Sequence, residues 1–131
     1  MTKEELCRAA WAMLDRAYAP YSHFRVGAAL ECRDGTVFTG CNIENAAYSP
    51  SICAERVAVS KAVSEGRRDF ARIAIAADTD RFTSPCGVCR QVLWEFAPDL
   101  EVLLYNRRGE IQELTLRQLL PCSFDSTALE E

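Results

Sequence analysis

Leu6, Ala9, Ala10, Met13, Leu14 and Ala17 fall at the spacing of one helical face, so residues 3–18 (KEELCRAAWAMLDRAY) are predicted to form an amphipathic helix. Thr2 is placed to cap it, Glu5 to complete a capping box, and Ala19-Pro20 to stop it. The period then changes. Phe24 to Cys32 and Thr36 to Asn42 read as strands joined by Arg33-Asp34-Gly35, in which Asp-Gly is a strong hairpin signal. Gly27 and Gly40 inside these strands mark places where something approaches the backbone closely. A second helix is expected from about Cys53 to Ser64, ended by Gly66, and a buried strand from Arg72 to Asp78. A third helix starts near Pro85, with Ser84 as its N-cap, and runs to about Phe96. Glu101 to Asn106 and Ile111 to Leu114 complete five strands, and Thr115 can cap a last short helix through Leu120. The order α-β-β-α-β-α-β-β-α predicts an α/β fold with a mixed sheet, an antiparallel hairpin first and then parallel strands joined by crossover helices.

At 131 residues, about half of them hydrophobic, with no internal repeat or linker, residues 1–131 are expected to form one domain. A subunit this small often completes a deep ligand site with walls from a neighbour. No run of roughly eighteen apolar residues occurs, and charges interrupt the N-terminal stretch every few positions, so neither a membrane span nor a signal peptide is read. Seven cysteines without a secretion signal point away from a disulfide scaffold, toward a reducing cytoplasm and toward metal binding or catalysis. Nineteen acidic residues against fifteen basic ones give a net charge of −4, and the basic doublets are Arg67-Arg68 and Arg107-Arg108. That is poor equipment for neutralising a nucleic-acid backbone; a small uncharged or cationic ligand is the easier partner.

The chemistry concentrates in two stretches. Cys86 and Cys89 lie three apart at the start of the third predicted helix, which puts both sulfurs on one face, and Cys53 begins the second helix. Three thiolates can therefore meet where two helix N-termini converge, and the positive ends of those dipoles favour thiolate. Three protein ligands leave a tetrahedral zinc one open position for water, the composition of a catalytic site, and Glu55 is close enough in sequence to act as proton carrier. A closed structural zinc site would need a fourth ligand from Cys7, Cys32, Cys41 or Cys122, none of which carries a second short-spaced motif. A redox pair is the weaker reading, since no strand immediately precedes the CxxC. His23, the only histidine, reads as a loop residue. Arg56 has two readings at this point: a donor to cysteine sulfurs that offsets their excess charge, or an ordinary surface arginine.

Taken together, Phe24-Arg-Val-Gly-Ala-Ala-Leu30, Gly40-Cys-Asn-Ile-Glu-Asn-Ala-Ala-Tyr-Ser-Pro50, Cys53-Ala-Glu-Arg56 and Pro85-Cys-Gly-Val-Cys-Arg-Gln91 give the sequence a close resemblance to the small zinc-dependent cytidine deaminases of free nucleosides. The resemblance covers nearly the whole chain. It implies an α-β-α layered sandwich, one Zn²⁺ per subunit held by Cys53, Cys86 and Cys89, and hydrolysis of cytidine and 2′-deoxycytidine to the uridines in pyrimidine salvage. It also implies that Glu55 moves protons among water, ring N3 and the departing amine. Asn42, Ile43 and Glu44 match the ribose-binding motif, Phe24 the aromatic beside the base, and Ala54 a backbone that reads the amino group. Members of this type are usually homotetramers with sites shared between chains, and Tyr48 and Phe124 match positions that reach across such interfaces. Deamination of another aminated heterocycle, such as blasticidin S, is the alternative, and the Asn42-Ile43-Glu44 match argues against it. Polynucleotide editing and a zinc-stabilised interaction module are further readings, the first disfavoured by the acidic charge, the second requiring four protein ligands.

Overall fold

The computed structural model describes residues 1–130. Helix α1 (Lys3–Ala12) leads through a 3-10 turn (Met13–Arg16) into β1 (Val26–Cys32) and β2 (Val37–Cys41). Then follow α2 (Ala54–Ser64), β3 (Phe70–Ala77), α3 (Gly87–Phe96), β4 (Glu101–Tyr105), β5 (Ile111–Thr115), α4 (Leu116–Leu119) and a 3-10 segment (Ser126–Glu130). The expected capping box at Thr2 and Glu5 closes α1, and a second one, Thr115 with Gln118, closes α4. The first helix is shorter than its apolar period predicts. Ala17 turns extended so that Tyr18 can pair with Ile43, and Pro20 excludes any helical continuation.

The five strands lie in the order β2-β1-β3-β4-β5. β1 is antiparallel to both β2 and β3, and β3 and β4 pair in parallel, so β2, β3 and β4 share a direction and are linked by the crossover helices α2 and α3. β5 departs from the expected parallel set and runs antiparallel to β4. The turn between Tyr105 and Ile111 is too short for a crossover, which takes about a dozen residues.

Each strand divides its side chains by face. Leu30, Ile73, Ile75, Val102 and Leu104 face α2 and α3, whereas Ala29, Ala74, Ala76 and Leu103 face α1. The result is the α-β-α sandwich, with bulky residues under two helices and alanines under one. Small residues let α1 come close: a Cβ on Gly27 would lie 1.9 Å from the Ala10 carbonyl oxygen. Gly40 plays the same part on the other side, where a Cβ would lie 2.3 Å from the Ala54 carbonyl oxygen and 2.7 Å from the Ala58 nitrogen. Bare backbone at Gly40 thus sets how closely the first turn of α2 docks on β2.

Candidate active site with a metal centre

Both crossover helices lie on the same face, so both begin at the edge of the sheet where β2 and β3 end. Residues just before or inside their first turns are therefore brought together, as happens at the carboxyl ends of strands in open α/β sheets. Cys53 is the N-cap of α2 and Cys86 the N-cap of α3. The latter corrects the sequence expectation of Ser84 as cap. The Cys86 sulfur accepts the Cys89 N–H at 3.5 Å, while the Ser84 hydroxyl accepts from Arg90 Nη2 at 2.9 Å.

Cys53 Sγ lies 3.7 Å from Cys86 Sγ, and Cys86 Sγ 3.5 Å from Cys89 Sγ, with all three sulfurs within 4.8 Å of one another. A tetrahedral zinc with sulfur ligands at about 2.3 Å sets its sulfurs about 3.8 Å apart, so the donor set and its spacing fit that ion. Cys7, Cys32 and Cys41 are buried elsewhere and Cys122 is exposed; among the described residues none joins the cluster as a fourth ligand. The Cys89 thiol, donating to Cys53, lowers the Cys53 pKa; burial opposes this and Arg56 adds to it. Cys89, the donor of that shared proton, is correspondingly pushed up. The cluster thus holds a thiolate before all three sulfurs are deprotonated.

Glu55, in the first turn of α2, is 4% exposed. Burial pushes its carboxyl up to about 7, and the negative charge of Cys53 adds to the shift. Such a group exchanges a proton readily near neutral pH, which is what a carrier serving as base and then as acid requires. Arg56 Nη2 approaches Cys53 Sγ at 3.6 Å, and its buried Nε has no hydrogen-bond partner among the described residues. Its guanidinium is turned toward the sulfurs, not outward to solvent.

An open cavity of about 310 Å³ lies over the cluster, and its wall includes Phe24, Asn42, Glu44, Cys53, Glu55 and Cys86. Asn42 grips the loop that carries Phe24: its Oδ1 accepts from Val26 N at 2.9 Å and its Nδ2 donates to the Phe24 carbonyl at 2.7 Å. Glu44 Oε1 accepts from the backbone N–H groups of Tyr21 and Ser22 at 3.0 and 3.1 Å. Ala54, also on the wall, is fully buried. Ile43 is on the opposite side of its strand-like segment and does not line this cavity; its backbone bridges Tyr18 and Ile52. Tyr48, 73% exposed, borders a neighbouring cavity of about 350 Å³ that also includes Glu44. Phe124 is exposed and lies outside both cavities, its carbonyl held by Gln91 Nε2 at 3.0 Å.

Sequence reasoning passed over Ser22 and Thr83, which also line the cavity over the cluster, and Arg90; Ser84, read only as a helix cap, lines that cavity too. Arg90 ties the Pro85 carbonyl, at 2.8 Å, to that of Leu119, at 2.6 Å. Nothing in the linear pattern joined Ser22 to Glu44, since serine is an ordinary residue in a turn after proline.

The family model described as "Cytidine and deoxycytidylate deaminase zinc-binding region" matches residues 1–104. A cytidine deaminase of Halalkalibacterium halodurans is 49% identical over 132 residues, the full length of both chains. The crystal structure of cytidine deaminase from Burkholderia pseudomallei aligns with a TM-score of 0.91 and 48% identity, covering 95% of this chain and 100% of that one. A blasticidin-S deaminase of Bacillus cereus is more distant, 31% identical over 128 residues, covering 92% of this chain and 90% of that one.

Proposed function

Since the chain belongs to the cytidine and deoxycytidylate deaminase family of zinc hydrolases, we propose that it hydrolyses free cytidine and 2′-deoxycytidine to the corresponding uridines and ammonia. The observation that carries this reading is a three-sulfur cluster of zinc-fitting spacing beside a buried Glu55, opening on a cavity walled by Phe24, Asn42 and Glu44. Cys53, Cys86 and Cys89 would hold the zinc ion, which would supply the Lewis acidity that makes water nucleophilic at neutral pH. Glu55 takes a proton from the water that attacks C4 and gives one to N3. It then takes the proton of the C4 hydroxyl and delivers it to the amine, which departs as ammonia while the C4 carbonyl forms. Phe24 lies against the base, and the buried backbone of Ala54 faces the exocyclic amino group. Asn42 and Glu44 take sugar hydroxyls, and the Glu44 carboxylate repels a 5′-phosphate, which favours a nucleoside over a nucleotide.

The exposed Tyr48 and Phe124 rings fit a homotetramer in which neighbouring chains close the open cavity, with Phe124 of one chain covering the base bound by another. The reaction is tested by following loss of cytidine absorbance near its ultraviolet maximum, with and without a zinc chelator. Turnover that the chelator abolishes is expected; an inactive zinc-loaded protein would refute the reading. The same assay with blasticidin S separates the alternative, which the greater similarity to cytidine deaminases disfavours. Sedimentation of the purified protein at the mass of four chains tests the assembly.

A further inference from the structure

We propose that Ser22 is a positioning residue that couples the carboxylate of Glu44 to the backbone of Phe24, so that sugar recognition and base stacking act as one unit. The inference rests on the nucleoside reading above and assigns a residue that reading leaves idle.

Three hydrogen bonds converge on Ser22. Its hydroxyl donates to Glu44 Oε2, its own N–H donates to Glu44 Oε1 at 3.1 Å, and its hydroxyl oxygen accepts from Phe24 N at 3.0 Å. The direction of the chain is fixed by chemistry. The Ser22 hydroxyl carries one proton, and an ionised carboxylate can only accept, so the order is Phe24 N–H to Ser22 O–H to Glu44. These contacts, the Ser22 hydroxyl first, hold the Glu44 carboxyl below the usual range and keep it an acceptor at neutral pH. With the N–H of Tyr21, the loop occupies three of about four lone-pair positions on that carboxylate. One remains for a sugar hydroxyl.

The loop needs this support. His23, between Ser22 and Phe24, has φ 58°, a left-handed conformation that is uncommon for residues with a side chain and that the surrounding hydrogen bonds help to hold. The Ser22 hydroxyl spans that residue by accepting the N–H two positions on, the geometry of a serine turn. On the far side, Asn42 fixes the Phe24 carbonyl. Both polar members of the Asn42-Ile43-Glu44 segment therefore hold the peptide of Phe24, Asn42 directly and Glu44 through Ser22. Ser22 also borders both cavities, so its hydroxyl sits between the space for the sugar and the ring that meets the base.

The test combines kinetics with a readout that needs no substrate. Ser22→Ala is expected to raise KM for cytidine about tenfold, the order of one lost hydrogen bond to a charged group, with kcat within about twofold. Ser22→Thr, which keeps the hydroxyl, should restore KM to within about threefold of wild type. In a Glu44→Ala background Ser22→Ala should add less than about threefold, because its partner is already gone. In hydrogen exchange followed by NMR, the Phe24 amide should exchange faster in Ser22→Ala but not in Ser22→Thr, with the core amides of β3 unchanged in both. A wild-type KM in Ser22→Ala, a full additive effect in the double variant, or an unchanged Phe24 amide would overturn the coupling. If wild-type protein fails on cytidine while the exchange pattern holds, the substrate reading falls and the hydrogen-bond relay stands.

Discussion

Arg56 Nη2 stands 3.6 Å from Cys53 Sγ, while the same guanidinium buries an unpartnered Nε. Three thiolates on a divalent zinc leave one excess negative charge, and a cation donating to sulfur withdraws part of that density. Of the two readings its sequence position allows, the geometry favours the charge-balancing one. Arg56→Ala is expected to weaken zinc binding by about tenfold or more, read by competition with a chromophoric chelator. Unchanged affinity together with unchanged turnover would return Arg56 to the role of an ordinary helix residue.

Glu55 lies buried in the first turn of α2, two residues from Cys53, without belonging to the sulfur cluster. Glu55→Gln keeps the shape of the side chain and removes its ability to carry a proton. Zinc content should stay at one per chain, while kcat for cytidine falls by about a thousandfold. Metal analysis and the ultraviolet assay on the same preparation check both halves; substantial residual turnover would take the proton-carrying role from this residue.

Gly40 tests how far the site depends on helix docking. An added Cβ would meet the backbone of α2 at Ala54 and Ala58, atoms that cannot swing aside. Gly40→Ala should therefore displace the turn that presents Cys53 and Glu55, lowering stability by about 2 kcal/mol and weakening zinc binding in parallel. Thermal unfolding and zinc titration should move together. A loss of stability with normal zinc affinity would mean that the shift is absorbed away from the site.

Acid sensitivity should trace to Glu31, which is 8% exposed and pairs with Arg72 Nε at 2.6 Å. Burial alone would raise its carboxyl, but Arg72 and then the N-terminal ammonium outweigh it, and the net shift is downward. A folded-state pKa below the unfolded one stabilises the protein above the unfolded value, about 4.3, and that contribution disappears as pH falls through the folded value. Urea unfolding of wild type should thus show a steeper loss between roughly pH 5 and 3 than that of Glu31→Gln, which should cost on the order of 2 kcal/mol at pH 7. Parallel profiles for the two proteins would exclude Glu31 as the source.

The features legible in the sequence are those whose physics is local. Thr2 and Glu5 announce a capping box by spacing alone, and the two glycines at 27 and 40 signal close approach before their partners are known. The cysteines could be grouped because each lies at a helix start, where neighbours in space follow from element order. Ser22 could not, since its partner Glu44 comes from another segment and both residue types are ordinary in turns. The cap of α3 was misplaced by two residues for a related reason. Ser84 is the better capper by type, but Arg90, six residues later, claims its hydroxyl, and the sulfur of Cys86 takes the vacant amide. The antiparallel course of β5 likewise depends on a short turn, not on any property of the strand.

The placement of Cys53 and Cys86 on separate crossovers bears on how the protein is made. Neither helix start faces the other until β3, which lies between the two connections in sequence, is paired with β1 and both helices are docked on the sheet. Before that, the chain presents only the local Cys86–Cys89 pair, half of a tetrahedral shell. Full-strength metal capture thus requires both helices to be docked, and an ion held there would tie together two connections that are separate in sequence. A copy without that docking would offer the ion only the two sulfurs of Cys86 and Cys89, so metal content should report on finished molecules as much as on the supply of zinc.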